Sequence, residues 1–496
     1  MSSRDILQPL PGLREFFPEF WAEIDFVLSK MREVALRYNY QEYEGASLEP
    51  IELYQAKSGE ALLGEVYHVY DSEDRHLVLR PEQTPTLAKM LARDQQRYPR
   101  PIRWFSIPRL FRDEGVQRGR TKEFWQLNAD LLGEKSIAAD AEIIALAVDI
   151  IRSTGVENRS FNVLVNHRSL LNSYLKSLGI EDTATAIQTI DRKMKFVQAW
   201  VIKDLVQKGM EESKARNESM VIRKLLNSSG SYLEELKEQV SDEYLSYLEN
   251  ITSIEGEVMS SEFTKLGIDK VTQSKITELT SIKGGKDEFF KMIESINFPE
   301  ESQTAVDELR TLAEFLEGFG VLDSVVFDLS LARGLDYYTG IVFEAFDASG
   351  DVVRALCGGG RYDDLVQVLG GQALSGVGFG MGDVALLEFV RKNSKSFEPE
   401  DYAVDIYIAP IKPAQGPAAI ALAQKLRREY RVMCNPFKWK MKKHLNAADR
   451  YGAKYSVIIG PRDLENGTCN LRKMKNGSSE DIELAKLPEH LNSLIA

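Results

Sequence analysis

FRDEGVQRGRTKEFWQLNAD, residues 111–130, reads as a strand, a loop and a second strand. Arg112 and Arg120 flank a loop that holds Glu114, Gln117 and Gly119. Beyond it Phe124, Gln126, Asn128 and Asp130 recur at period two, which puts them on one face of a strand. A guanidinium fork grips a phosphate or carboxylate through two parallel hydrogen bonds, and an aromatic ring stacks on a flat base. A polar and charged face directly after a basic loop therefore fits a ligand that is anionic at one end and planar at the other. The plainer alternative is an exposed edge hairpin with surface ion pairs.

Three further stretches carry chemistry. In LRPEQTPT, residues 79–86, Glu82 and Thr84 alternate onto one face and suit an ammonium group, or else decorate a strand end. In LARGLDYYTG, residues 331–340, Arg333, Asp336, Tyr337 and Tyr338 surround a glycine beside apolar strands. An Arg333–Asp336 pair at a bend, with Tyr337 in the core, is the simpler account. CGGGRYDDLVQVLGG, residues 357–371, offers backbone that a ligand can approach closely, but its spacing is neither a Walker nor a Rossmann pattern.

Around these motifs the texture changes four times. An amphipathic pattern at Phe20, Ile24, Val27, Leu28, Met31, Val34 and Ala35 predicts a helix over 17–39. Strand-like runs HVYDSEDRHLVLR and PIRWFSIPRLFR follow, joined by a helix beginning near Pro85-Thr86. Strands interrupted by long helices indicate an α+β fold on an antiparallel sheet, not a regular βαβ repeat. Residues 171–320 turn acidic and helical, with SSGSYLEELKEQVSDEYLSYLENI as a solvent-facing helix pair, so they read as an insertion. The expected division is 1–170 and 321–398 as two parts of one domain, 171–320 as the helical insertion, and 403–496 as a small α/β domain. The last alternates strand and helix and ends on an Asn476-Gly477 hairpin.

The chain has 496 residues and a net charge of -13, from 62 Lys+Arg against 75 Asp+Glu. That length suggests about three domains. Three scattered cysteines, Cys357, Cys434 and Cys469, build neither a disulfide framework nor a CxxC zinc site, and no histidine sits in an HExxH pattern. No run approaches the roughly 18 apolar residues of a spanning helix, and the start lacks a secretion signal. Cytoplasm is the expected compartment, with no membrane partner. Against the acidic background, Arg427, Arg428, Arg431, Lys438, Lys440, Lys442, Lys443 and Arg450 cluster, with Phe437 and Trp439 among them. Basic residues interleaved with aromatics attract phosphates and stack unpaired bases, which points to RNA.

Taken together the motifs resemble the histidyl-tRNA synthetases, a class II aminoacyl-tRNA synthetase family. FRDE…GR…FWQ is similar to class II motif 2, RGLDYYTG and GGGRYDDL to the two histidine-specific signatures, and GVGFGMGD to motif 3. The resemblance implies a class II sheet flanked by helices, a helical insertion and an anticodon-binding-like α/β domain. It also implies activation of histidine with ATP and Mg2+ and its transfer to tRNA(His), by a homodimer. Arg112 and Arg333 would be the catalytic cations at the α-phosphate and carboxylate. Arg112, Glu114, Arg120 and Phe124 would bind ATP. Glu82, Thr84, Arg112, Gln126, Asp130, Arg333, Tyr337 and Tyr338 would bind histidine. Gln117, Arg427, Lys438, Trp439, Lys440, Lys442 and Lys443 would touch tRNA, and no residue is assigned to a protein-bound metal.

Three departures qualify this expectation. Motif 3 ordinarily ends in an arginine for the γ-phosphate, and here Gly382, Asp383, Val384 and Ala385 occupy that segment. Arg120 could compensate, ATP could be held differently, or the protein could be a non-catalytic relative that senses histidine or tRNA. Asp383 is expected first of all to cap the following helix. Gly115-Val116 replaces Arg-Pro in the motif 2 loop, which bears on recognition of the extra 5′ guanosine of tRNA(His), and Ala46 stands at the motif 1 proline.

Overall fold

The computed structural model describes residues 7–55, 60–115, 119–216, 219, 250–332, 337–352, 354–398, 404–437 and 440–495. The chain forms two compact units: Met1–Glu15 with Ile24–Phe397, and Phe16–Glu23 with Glu398–Ala496.

The first unit begins with β1 (Gln41–Glu42), and β2 (Leu48–Pro50), β3 (Tyr67–Tyr70) and β4 (His76–Leu79) make a small sheet of their own, ordered β2-β4-β3. The large sheet takes β1, β5 (Ile102–Ser106), β7 (Glu123–Leu132), β8 (Phe161–His167), β9 (Lys283–Gly284), β10 (Val325–Asp328), β11 (Ile341–Asp347), β12 (Cys357–Tyr362) and β13 (Gly376–Gly382). Their order is β1-β5-β7-β13-β12-β11-β8-β10-β9, and β6 (Arg109–Phe111) pairs with β7 outside that path. The central pairings β7–β13–β12–β11–β8 are all antiparallel, while β1–β5 and β8–β10 are parallel. An antiparallel centre is what short strands without helical crossovers dictate.

β7 sits mid-sheet because its odd positions are apolar: Trp125, Leu127, Ala129 and Leu131 are all buried. The helices Ile137–Ser153 and Asp383–Asn393 pack on it, and Glu300–Gly318 lies against Ile137–Ser153. The first of these is apolar almost all round, from Ile143 to Ile151, as befits a helix sandwiched between sheet and helix. A buried ion pair ties it to the sheet: Arg361 of β12 donates from Nε to both oxygens of Asp140, at 3.0 and 3.1 Å.

The N-terminal helix runs Pro18–Arg37 and buries Ile24, Val27, Leu28, Met31, Val34 and Ala35. Phe20, expected on the same stripe, is 52% exposed. Four residues before Ile24 it keeps to the same face, but it stands in the first turn of the helix, ahead of the segment that the core covers. Residues 168–207 and 251–293 are largely helical, and β9 joins the edge of the large sheet beside β10. The proposed helix pair of residues 228–251 lies almost wholly outside the described residues.

In the second unit β14 (Ile406–Pro410), β15 (Val432–Cys434), β16 (Tyr455–Ile459), β17 (Thr468–Lys473) and β18 (Ser479–Glu483) form one sheet, ordered β15-β14-β16-β17-β18. The helices Gly416–Leu426 and Met441–Arg450 connect the three parallel strands. The β17–β18 hairpin turns through Asn476-Gly477, with Gly477 at φ 74°, in a left-handed conformation that glycine adopts without strain.

Candidate active site

A cavity of about 440 Å3 opens on the large sheet of the first unit, within the usual size for small-molecule sites. Its lining includes Glu82, Thr84, Arg112, Glu114, Arg120, Phe124, Gln126, Asp130, Tyr337 and Tyr338. The period-two face of β7 is therefore a wall of the cavity, not an exposed edge. Asn128 completes it.

Glu82 and Thr84 arrive by a different route from the one expected. β4 ends at Leu79, and Thr84 opens the helix Thr84–Asp94 with Pro85 in its first turn. A turn, not strand alternation, brings the two residues to the cavity.

At one end stand the cations. Arg112 donates from Nε to the Pro81 carbonyl at 3.1 Å, and its guanidinium lies 5.4 Å from the centre of the Phe124 ring. Burial pushes its pKa down, against the attraction of Glu82 and Glu114. Arg120 pairs through Nε with Glu114 Oε2 at 2.5 Å. Burial raises the Glu114 carboxyl, and Arg120 opposes the rise.

At the other end is a narrow polar slot. Asp130, 2% exposed, accepts the hydroxyl of Tyr362 on Oδ1 at 2.5 Å, while Oδ2 is buried with no hydrogen-bond partner. Burial raises this carboxyl and the Tyr362 hydrogen bond lowers it, which together leave it at about 7. Tyr337 packs edge-on against Tyr338 and Tyr362, with ring centres 5.1 and 5.9 Å away. Tyr337 is thus both core and cavity wall. The slot exists because its floor has no side chains. Gly378 faces Asp130 across β13–β7, and a Cβ on it would meet Asp130 Oδ1 at 2.1 Å; one on Gly380 would lie 2.9 Å from the Gln126 amide.

A buried acceptor without a donor, beside a tyrosine hydroxyl over a floor of glycine backbone, suits a small flat molecule that carries an N–H. The cationic end suits an anion next to a stackable base. One chain family combines these features with the signatures read above. A family profile described as histidyl-tRNA synthetase matches residues 12–260 and 258–385, and one described as an anticodon binding domain matches 405–494. The chain belongs to the histidyl-tRNA synthetase family.

Relatives span its full length. The histidine–tRNA ligase of Pyrococcus furiosus is 30% identical over 99% of this chain and 100% of its own. That of Haloarcula marismortui is 31% identical over 96% of each chain. The crystal structure of histidyl-tRNA synthetase from Nostoc sp. PCC 7120 superposes with a TM-score of 0.71 at 22% identity, covering 98% of this chain and 99% of that one. The apo S. aureus enzyme gives 0.65 at 20% identity, covering 98% and 99%. At such identities the structures speak for the fold alone, and the fold is that of the synthetases.

Arg333 and Gln117 lie outside the described residues, as do Lys438 and Trp439. Asp383 does not act as the helix cap. Gly382 holds that position, and the Asp383 carboxylate instead pairs with Arg14 at 2.9 Å and accepts the Trp125 N–H at 3.0 Å. An aspartate one residue inside the helix points back to the sheet, so it fastens the N-terminal arm and β7 to the helix start. In the second unit Arg427, Lys440, Lys442 and Lys443 are exposed, and Phe437 is 85% exposed.

Sequence reasoning passed over Tyr362, Glu344, Arg354 and Asp191 as cavity residues. Glu344 left a signal, being the one acid inside the apolar run IVFEAF. Tyr362 stood in a quoted motif, but its partner is 232 positions away.

Proposed function

We propose that the cavity activates histidine with ATP to histidyl-adenylate and that the chain transfers the histidyl group to the 3′ end of tRNA(His). The chain is an aminoacyl-tRNA ligase, and the observation that carries the histidine assignment is the Asp130–Tyr362 pair. Asp130 Oδ2, buried without a partner, accepts an imidazole N–H. A wrong side chain leaves that acceptor unpaired, which accounts for rejection by about 10⁴-fold. Asp130 is short, and Tyr362 holds it by its other oxygen, so its position is set before histidine arrives.

Attack of the histidine carboxylate on the α-phosphate joins two anions, so neutralisation and in-line alignment dominate over proton transfer. Arg112, fixed by Pro81 and Phe124, lies where it can bridge both anions, with Arg333 as the expected second cation. Phe124 stacks on adenine, and Glu114 orients Arg120 toward the nucleotide. Glu82, Thr84 and Gln126 receive the ammonium and carboxylate of the amino acid, beside Tyr337 and Tyr338. Mg2+ is ordinarily held by one or two carboxylates together with substrate phosphates. Glu344, whose Oε1 would lie 3.2 Å from a Cβ on Gly358 at the cavity wall, is the carboxylate that fits. When bound, the ion neutralises phosphate charge.

The second unit would grip the anticodon. Lys442 and Lys443 sit in the first turn of Met441–Arg450, where the helix dipole disfavours cations, so an external anion explains them better than fold stability does. No helix among the described residues is long and apolar enough to cross a membrane. A cytoplasmic homodimer, with 171–320 inserted between the catalytic halves 1–170 and 321–398 and with 403–496 reading the anticodon, fits this role. Ala385 at the motif 3 arginine favours a non-catalytic relative, but full-length likeness to ligases, anticodon domain included, favours the enzyme. The deciding test is exchange of pyrophosphate into ATP with each amino acid in turn. Exchange with histidine alone is expected, and none from folded protein would refute the proposal.

A further inference from the structure

At the nucleotide end of the cavity, the first turn of Asp383–Asn393 presents Val384 and Ala385, neither of which bears charge. A nucleoside triphosphate carries several negative charges, and Arg112 and Arg120 stand at this end beside Glu82 and Glu114. The cavity wall contributes a third described guanidinium, Arg354, three residues before β12. Its stem runs over Gly119, next to Arg120. A Cβ on Gly119, whose φ is +73°, would lie 3.1 Å from Arg354 Cγ and 3.9 Å from Glu388 Oε2. Glu388 is one turn beyond Ala385 on the same helix face. The Arg354 stem and the Glu388 carboxylate therefore meet at Gly119, beside the loop that carries Arg120 and one turn from Ala385.

The electrostatics agree. Lys195, on the helix Lys193–Gln207, has its ammonium pKa lowered by burial first, then by Arg192, Arg120 and Arg354. Asp191, which lines the cavity just before this helix, works against that shift. Positive charge thus accumulates at this end from three separate elements, as a polyphosphate requires.

We propose that Arg354 binds the terminal phosphate of ATP, supplying from the β12 side the cation that Ala385 does not supply from the helix. This rests on the reading that the cavity takes ATP. Transfer leaves pyrophosphate at the same place, so Arg354 also holds the leaving group.

The test is calorimetric titration of the full chain with ATP and, separately, with AMP, which lacks the phosphates in question. Arg354→Ala is expected to weaken ATP about 30-fold, as for a lost hydrogen bond to a charged group, and to leave AMP within about twofold. Arg354→Lys should recover part of the loss. Arg354→Ala combined with Ala385→Arg should recover most of it, because the charge returns from the helix. Equal weakening of ATP and AMP, or unchanged ATP binding, overturns the proposal. Pyrophosphate exchange by the unsubstituted chain is read alongside. Its absence would sink the ligase assignment, and the ATP-to-AMP comparison would still decide the role of Arg354.

Discussion

Replacing Tyr362 by Phe removes one hydroxyl and nothing else from the histidine slot. That hydroxyl is the partner of Asp130 Oδ1 at 2.5 Å, and it opposes the burial that raises the carboxyl, which together leave it at about 7. A hydrogen bond to a charged acceptor contributes about 1.5–3 kcal/mol, which at 1.36 kcal/mol per unit is roughly one to two pKa units. The Asp130 midpoint in the variant should therefore move to about 8–9. At about pH 7.5 the ionised fraction falls from roughly three quarters to roughly a tenth, and the KM for histidine rises about eightfold. The sign follows from the chemistry: ionised, Asp130 Oδ2 is a full acceptor for an imidazole N–H, whereas a proton on it makes it a donor, and the variant needs a higher pH to lose that proton. The assay is pyrophosphate exchange at saturating ATP, with histidine titrated from about pH 6.5 to 9.5 and each KM compared with the parent's at the same pH, because free histidine itself titrates within that range. The difference from the parent should shrink toward about pH 9.5, and the KM for ATP should stay constant. A KM raised equally at every pH would mean that Tyr362 acts only by packing, and this account of the slot would be wrong.

Gly378→Ala should abolish histidine activation while costing only about 1–3 kcal/mol of stability, because its methyl overlaps Asp130 Oδ1 at 2.1 Å; wild-type exchange from this variant would contradict the backbone floor. Arg361→Ala leaves Asp140 buried without its counter-ion and should lower unfolding free energy by about 3–5 kcal/mol in denaturant melts. Arg361→Met with Asp140→Leu should lose less, and a double variant less stable than the single would refute the uncompensated-charge explanation. Lys442→Ala with Lys443→Ala should weaken tRNA binding and reduce the slope of log affinity against log salt by about two, with adenylation unchanged. An unaltered salt slope would remove these lysines from the tRNA surface.

What the sequence revealed follows the range of the forces involved. The β7 wall was legible because alternation is local: Phe124, Gln126, Asn128 and Asp130 announce one face within seven residues. The second unit was legible for the same reason, strand and helix periods alternating cleanly from Ile406 to Ile459. Glu82 and Thr84 were expected at the right place by the wrong geometry, since a proline-led helix start and a strand end share the same residues. Asp383 read as a cap because capping is the local use of an aspartate, while its actual partner, Arg14, is remote in sequence. Tyr362 and Arg354 were passed over for a related reason. Nothing nearby marks a tyrosine that meets Asp130, or an arginine whose neighbours are Gly119 and Glu388.

The Asp130–Tyr362 bond spans 232 positions. At about 5–20 residues per second of translation, a ribosome needs on the order of tens of seconds to add the tyrosine after the aspartate. Until then the nascent chain has its arginine loop but only one wall of the amino-acid slot. A product that ends before Tyr362 therefore lacks the hydroxyl that holds Asp130 in place.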